Sequence, residues 1–166
     1  QETPCVQQLY ELVDEECKKH ADQTTQVAFK EILSTSNKIG FIINERFVNI
    51  PSKISSIMLN SLQDEIERMK KKNINYKFEY FLMICKIWKP KGSKHGETTF
   101  SNDEEEIFHK KADCSFDYSV ADKSDTGLTG NWQSEDKELV PYRRVILFKS
   151  DKFNSILNEI KNFVMT

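Results

Sequence analysis

No apolar run in these 166 residues approaches the ~20 needed to span a bilayer, so no membrane partner is expected. Glycine is scarce: the five stand at 40, 92, 96, 127 and 130 and make neither G-x-G-x-x-G nor G-x-x-x-x-G-K-[ST]. A phosphate cradle needs backbone N–H groups that a Cβ would block, so the usual nucleotide-binding loops are missing. Gly127 and Gly130, in TGLTGNW, fall in a long loop and read as turn residues needing positive φ. The four cysteines, at 5, 17, 85 and 114, form no C-x-x-C. Cys85 and Cys114 lie in apolar or alternating runs and read as small buried hydrophobes. His20, His95 and His109 stand apart from the cysteines, so neither a zinc site nor a Cys–His nucleophile is expected. There is no G-x-S-x-G. The acids of DEEE at 103–106 match no calcium-loop spacing, and their place at a helix start already suits the helix dipole. No metal, no cofactor and no catalytic residue is expected.

What is present describes one polar-surfaced domain over residues 1–166, with 38% hydrophobic and 30% charged residues. The opening, QETPCVQQLYEL, shows no charged-then-apolar signal pattern, and with the unpaired cysteines it sets a reducing compartment, cytoplasm or nucleus, as the expectation. The formal charge of −2 hides a division. From Arg68 to Lys94 there are nine Lys and Arg against one acid, and from Ser101 to Glu138 eleven acids against four lysines. Such a bipolar surface can steer a charged protein partner. The basic stretch lacks interleaved exposed aromatics, so nucleic acid is not expected.

Val6, Leu9, Val13 and Cys17 recur at helical spacing behind Pro4, and Asp22 is placed to cap a second helix carrying Val27, Phe29, Ile32 and Leu33. IGFII reads as a short buried strand. After Pro51, a long helix carries Ile54, Met58, Leu62, Ile66 and Met69 as its apolar stripe and ends in Lys70–Lys72. YKFEYFLMICKIW reads as a strand beginning at Tyr76, half exposed and then central. The loop at 89–98 follows, then a short helix over Asp103–Ala112. CSFDYSV alternates as a half-buried strand, with Cys114, Phe116, Tyr118 and Val120 inward. After a connection from Ala121 to about Tyr142, VILF is a buried strand, and a final helix capped by Ser150 or Asp151 carries Phe153, Ile156, Leu157, Ile160 and Val164. The fold class is α/β (α+β): a twisted, mixed, partly antiparallel sheet flanked by helices.

IINERFVNIP raises the functional question, because an acid–base pair interrupts an apolar run that ends on proline. Glu45 and Arg46 are read as leaving the strand at its exposed end, with Arg46 either pairing with an acid or presenting its planar fork to a partner. The run Glu45–Pro51 resembles a signature of the BCCIP family. EEEIFHKKA at 104–112, FDYSV at 116–120, SDTGLTGNW at 124–132 and RRVILFKSDKFNSIL at 143–157 are similar to that family's blocks, in the same order. Two positions depart: Asn44 stands where a small hydroxyl residue is expected, and Gly127 where some relatives carry cysteine. The resemblance implies a fold like that of the GCN-related N-acetyltransferases. It also implies the C-terminal portion of a longer chain with an acidic region upstream. It implies a nuclear protein, shuttling to the cytoplasm, that acts as a non-enzymatic adaptor and chaperone. The implied partners are a basic large-subunit ribosomal protein and cell-cycle or recombination regulators. Candidate partner-binding residues are Glu45, Arg46, Asn49, Glu104, Glu105, Glu106, Asp125 and Trp132. The alternative is an acetyl-CoA-dependent acyltransferase with a divergent cofactor site, against which stands the lack of a [QR]-x-x-G-x-[GA] turn opening a helix.

Overall fold

The computed structural model describes residues 4–35, 38–47, 49–73, 76–92, 98–122 and 139–165. Two helices, α1 (Pro4–His20) and α2 (Gln23–Thr35), lead into strand β1 (Ile39–Ile42). Helix α3 (Ser52–Lys72), strand β2 (Tyr80–Pro90), a two-residue β3 (Thr99–Phe100) and helix α4 (Glu105–Lys111) follow. Strands β4 (Cys114–Ser119) and β5 (Leu139–Lys149) come next, and a 3-10 turn at Ser150–Lys152 opens into α5 (Phe153–Met165). The strands lie in the order β1-β2-β5-β4, with β3 also paired to β2. Among the described residues the β1–β2 pair is parallel, and the β2–β5, β4–β5 and β2–β3 pairs are antiparallel. The sheet is mixed, as its alternation and its long apolar run predict.

Side chains alternate across the strands, so each face has its own core. On one face Phe81, Met83, Ile146 and Phe148 pack with Leu59 and Ile66 of α3, Phe108 of α4, and Phe153, Ile156 and Ile160 of α5. On the other, Leu82, Val145, Leu147, Phe116 and Tyr118 pack with Val13 and Cys17 of α1 and Phe29 of α2. Gly40 is fixed by packing: a Cβ there would stand 2.8 Å from the Phe81 ring and 3.1 Å from that of Phe78. Asp22 caps α2 as expected, its Oδ1 accepting the Thr25 N–H at 2.8 Å.

Four expectations need correction. Strand β2 begins at Tyr80 rather than Tyr76, while β5 spans eleven residues, far more than VILF, because its polar half pairs with β2 out to Pro90. The apolar stripe of α3 is rotated: Ser55, Ser56, Leu59 and Ile66 are buried, whereas Ile54 and Met58 are 41% and 63% exposed. Ser150 does not cap α5; its hydroxyl donates to the Phe78 carbonyl at 2.7 Å and ties the chain back to the start of β2. As expected, α3 begins directly after Pro51, whose carbonyl accepts the Ile54 N–H at 3.0 Å. Among the described residues no helix is long and apolar enough to cross a membrane.

Candidate functional site

The end of β1 and the turn before α4 meet at a buried polar junction built from Asn44, Arg46, Ser55, Cys85, Asn102, Glu104 and Glu105. β1 runs out at Ile42, so the next residues are free of the ladder and cross toward α4. The Arg46 side chain is 13% exposed and the Glu104 side chain 0%. Arg46 grips that carboxylate with both arms of its fork, Nη2 to Oε2 at 3.0 Å and Nε to Oε1 at 3.4 Å. Its remaining Nη1 donates to the Ile50 carbonyl at 3.0 Å, which closes the loop on itself. A bidentate, charge-assisted pair of this kind is geometrically specific. It answers the question raised by the interrupted strand: Arg46 leaves the apolar run to neutralise an acid 58 residues further along the chain, in the folded interior.

Asn44 supplies a second bridge. Its amide donates to Glu104 Oε1 at 3.2 Å and to Glu105 Oε1 at 3.1 Å. A hydroxyl has one hydrogen to give, whereas this amide serves both acids. Asn102, 4% exposed, donates to the Asn44 carbonyl and to Glu105 Oε1, each at 3.0 Å. Glu105 Oε2 meets no nitrogen or oxygen hydrogen-bond partner among the described residues, although Glu105 is only 1% exposed.

The two neighbouring acids therefore titrate in opposite directions. Burial pushes Glu104 up, but hydrogen bonds from Arg46, Ser55, its own backbone and Asn44 outweigh it and hold the carboxyl below the usual range. Glu105 has no cation of its own. Burial pushes it up to about 7, the Glu104 charge adds to that, and Asn102, Asn44 and most weakly Cys85 pull it back only in part. Near neutral pH, Glu105 is shared between its neutral and charged forms. Burial first, then the charge of Glu105, keeps the Cys85 thiol protonated. It is an inert thiol rather than a nucleophile. Among the described residues no three His, Cys, Asp or Glu side chains converge to hold a metal ion.

A second ionic group flanks the first across the sheet. Arg144 clasps Asp117 at 2.6 and 2.7 Å, and Lys89 joins at 2.7 Å. The Arg144 guanidinium also lies 5.3 Å from the Phe100 ring centre. Burial raises Asp117, but Arg144 and Lys89 hold it below its ordinary value.

The structure thus divides the sequence-predicted residues. Glu104 and Glu105 were expected on an acidic surface; both are enclosed, because the α4 turn aims them at Arg46 and Asn102 rather than at solvent. Arg46 is spent on Glu104 instead of facing outward. Glu45, Asn49 and Glu106 are exposed; Glu45 pairs with Lys86 at 2.7 Å and Glu106 with Lys110 at 2.8 Å. Asp125 and Trp132 lie outside the described residues, as do Gly127 and residues 93–97 of the 89–98 loop. Sequence reasoning missed Asn102, Ser55 and Arg144. The one available signal was Asn102 directly before an acidic run, a polar residue able to turn the chain inward.

The sequence profile of the BCCIP family matches residues 1–139. The chain is 37% identical to the Drosophila melanogaster "Protein BCCIP homolog" over 164 residues, 97% of this chain and 55% of that one. It is 33% identical to the human "BRCA2 and CDKN1A-interacting protein" over 174 residues, 98% of this chain and 55% of the relative. A crystal structure of BCP1 from Saccharomyces cerevisiae superposes with a TM-score of 0.58 at 15% identity, covering 96% of this chain and 60% of that one. That match supports the shared α+β fold and nothing finer. The chain spans about half the length of the curated relatives it matches. By the extent of the profile match, and by ordered identity across nearly all of its length, this chain belongs to the BCCIP family.

Proposed function

We propose that this chain is a protein-binding adaptor and chaperone of the nucleus, escorting a basic large-subunit ribosomal protein and binding cell-cycle or recombination regulators. The observation that carries the reading is the 33% identity, across 98% of the chain, to a human protein named for its interaction with BRCA2 and CDKN1A. The structure supports it in a narrower way. The polar cluster is consumed internally: Arg46 pairs with Glu104, Asn44 and Asn102 hold Glu105, and burial keeps the Cys85 thiol protonated. Its chemistry is that of a rigid strut, and the accessible acids are left to contact a client.

Those acids are Asp103, Glu106 and Glu45, all exposed around the strut. The experiment is to measure binding of the chain to purified large-subunit ribosomal proteins and to CDKN1A as a function of salt. A basic client held by this surface should be lost steeply as salt rises. Asp103→Lys with Glu106→Lys should weaken it about tenfold with no change in melting temperature. Equal affinity in the double variant overturns the acidic docking surface. Calorimetric binding of acetyl-CoA at micromolar to millimolar concentration would overturn the non-enzymatic reading in favour of an acyltransferase.

A further inference from the structure

The fold sorts the basic stretch between Arg68 and Lys94 into two kinds of charge. Arg68 is held by Glu65, Lys70 by Glu67, Lys86 by Glu45 and Lys89 by Asp117. Lys71, Lys72 and Lys77 are exposed and make no ion pair among the described residues. Two more lysines join them from elsewhere in the chain. The Lys38 carbonyl accepts the Glu79 N–H at 2.8 Å, and the Ser150 N–H donates to the Glu79 carbonyl at 2.9 Å. Those bonds bring the entry to β1 and the end of β5 to the segment that follows α3. Lys38 therefore lies at this end of the sheet, as does exposed Lys149, which stands opposite Tyr80 in the ladder. Five lysines are set there against two acids, Glu79 and Asp151, while Lys152 and Asp113 cancel each other at 2.7 Å. A chain of net charge −2 thus carries one distinctly positive end.

The expectation that no exposed aromatic interleaves these bases does not hold: Tyr76 is 37% exposed. Its N–H donates to the Asn73 carbonyl at 3.3 Å, which sets the ring directly after the end of α3 and between Lys72 and Lys77 in the chain. The ring meets Phe78 edge to face, with centres 6.3 Å apart and planes at 72°. Phe78 in turn packs on Phe81 of the core at 5.5 Å. An edge-to-face contact covers at most one face of the phenol. Tyr76 is therefore braced from below and keeps a flat surface available among lysines.

Lysines alone would suit any polyanion, and the aromatic narrows the choice. A single strand has unstacked bases to lay on a ring, whereas a duplex hides its base faces and an acidic peptide is satisfied by the lysines without the ring. We propose that Lys71, Lys72, Tyr76, Lys77 and Lys149 form a binding surface for single-stranded nucleic acid, in which the lysines track phosphates and the Tyr76 ring stacks on a base. This goes beyond the adaptor reading and does not depend on it.

The test is titration of a fluorescent single-stranded oligouridine with this chain at several salt concentrations. Each phosphate neutralised on a single strand adds about −0.7 to the slope of log K against log salt, so four lysines give a slope of about −3. Lys72→Glu should weaken binding at least fivefold. Lys53→Glu makes the same charge change at the other end of α3, about 28 Å away and beyond the screening length, and should leave binding unchanged. Tyr76→Ala should weaken binding about tenfold, and Tyr76→Phe should restore it. No binding, an equal loss in Lys53→Glu, or no loss in Tyr76→Ala overturns the proposal. Polyglutamate that binds as tightly as oligouridine and ignores Tyr76→Ala would make this end a dock for acidic protein and would overturn it too. So would a duplex RNA that binds more tightly than the single strand.

Discussion

At the scale of single residues, the Arg46–Glu104 pair shows how burial sets the value of a charge. An exposed ion pair contributes little, and several of the helix-surface pairs here, such as Lys19–Glu15 at 3.6 Å, belong to that class. Arg46–Glu104 does not, because neither side chain has water to fall back on. Removing one member leaves the other buried and uncompensated, which typically costs about 3–5 kcal/mol. Arg46→Ala should therefore lower stability by that amount in urea denaturation, and Arg46→Lys should recover only part of it, since a point charge cannot replace the two-armed grip. Exposed Glu106 is the internal control: Glu106→Ala should change stability by less than about 0.5 kcal/mol. A loss in Arg46→Ala no larger than that would mean the cluster is wetter than its burial indicates.

At the scale of elements, the chain's own punctuation made most of the architecture legible. Asp22, Pro51, the continuous apolar run of β2 and the alternation of CSFDYS each named an element that exists. The two-residue β3 was invisible because a pair of ladder partners leaves no periodicity to read. The polar half of β5 was hidden for a different reason: Arg143 and Arg144 look like loop residues until Asp117 and the β2 register supply partners. The acidic turn misled in the same manner. Four acids in a row look solvated, and only a distant arginine and two asparagines turn two of them inward. Long-range compensation of this sort has no local signature. In α3 the sequence offers two overlapping apolar sides, and periodicity alone cannot choose between them. The structure chooses the Leu59–Ile66 side, which packs against α5. Leu59→Ala should accordingly cost about 2–5 kcal/mol as a core truncation, whereas Met58→Ala, one residue away, should cost less than about 0.5. Thermal or urea denaturation of the two variants reads the helix's rotation directly; reversed magnitudes would restore the stripe expected from sequence.

At the scale of the whole molecule, these local arrangements compete through pH. Glu105 has a folded pKa raised to about 7 from an ordinary 4.5, so the unfolded chain gives up that proton first as pH rises. Its presence therefore favours the fold below about pH 4.5 and loses that advantage progressively up to about 7, by on the order of 3 kcal/mol. Glu104 and Asp117 act with the opposite sign. Their folded pKa values are depressed, so their contribution is present above the ordinary carboxylate range and is lost as acid protonates them. His109 joins them: burial, then the Arg144 charge, lowers its pKa, and stability is lost as pH falls below the ordinary value of 6.5. The native chain should thus be most stable on the mildly acid side of neutrality, where Glu105 is still protonated and Glu104 and Asp117 remain charged. Glu105→Gln keeps the shape of the neutral acid and cannot ionise. It should raise the denaturation midpoint at pH 8, converge with the native protein near pH 4.5, and move the pH of maximum stability upward. Urea midpoints of both proteins from pH 4 to 9 decide it. Parallel curves would mean that Glu105 is charged throughout and that a donor reaches its second oxygen. Curves that converge toward acid would show this chain's interior strut to be one proton away from carrying two adjacent buried charges at neutral pH.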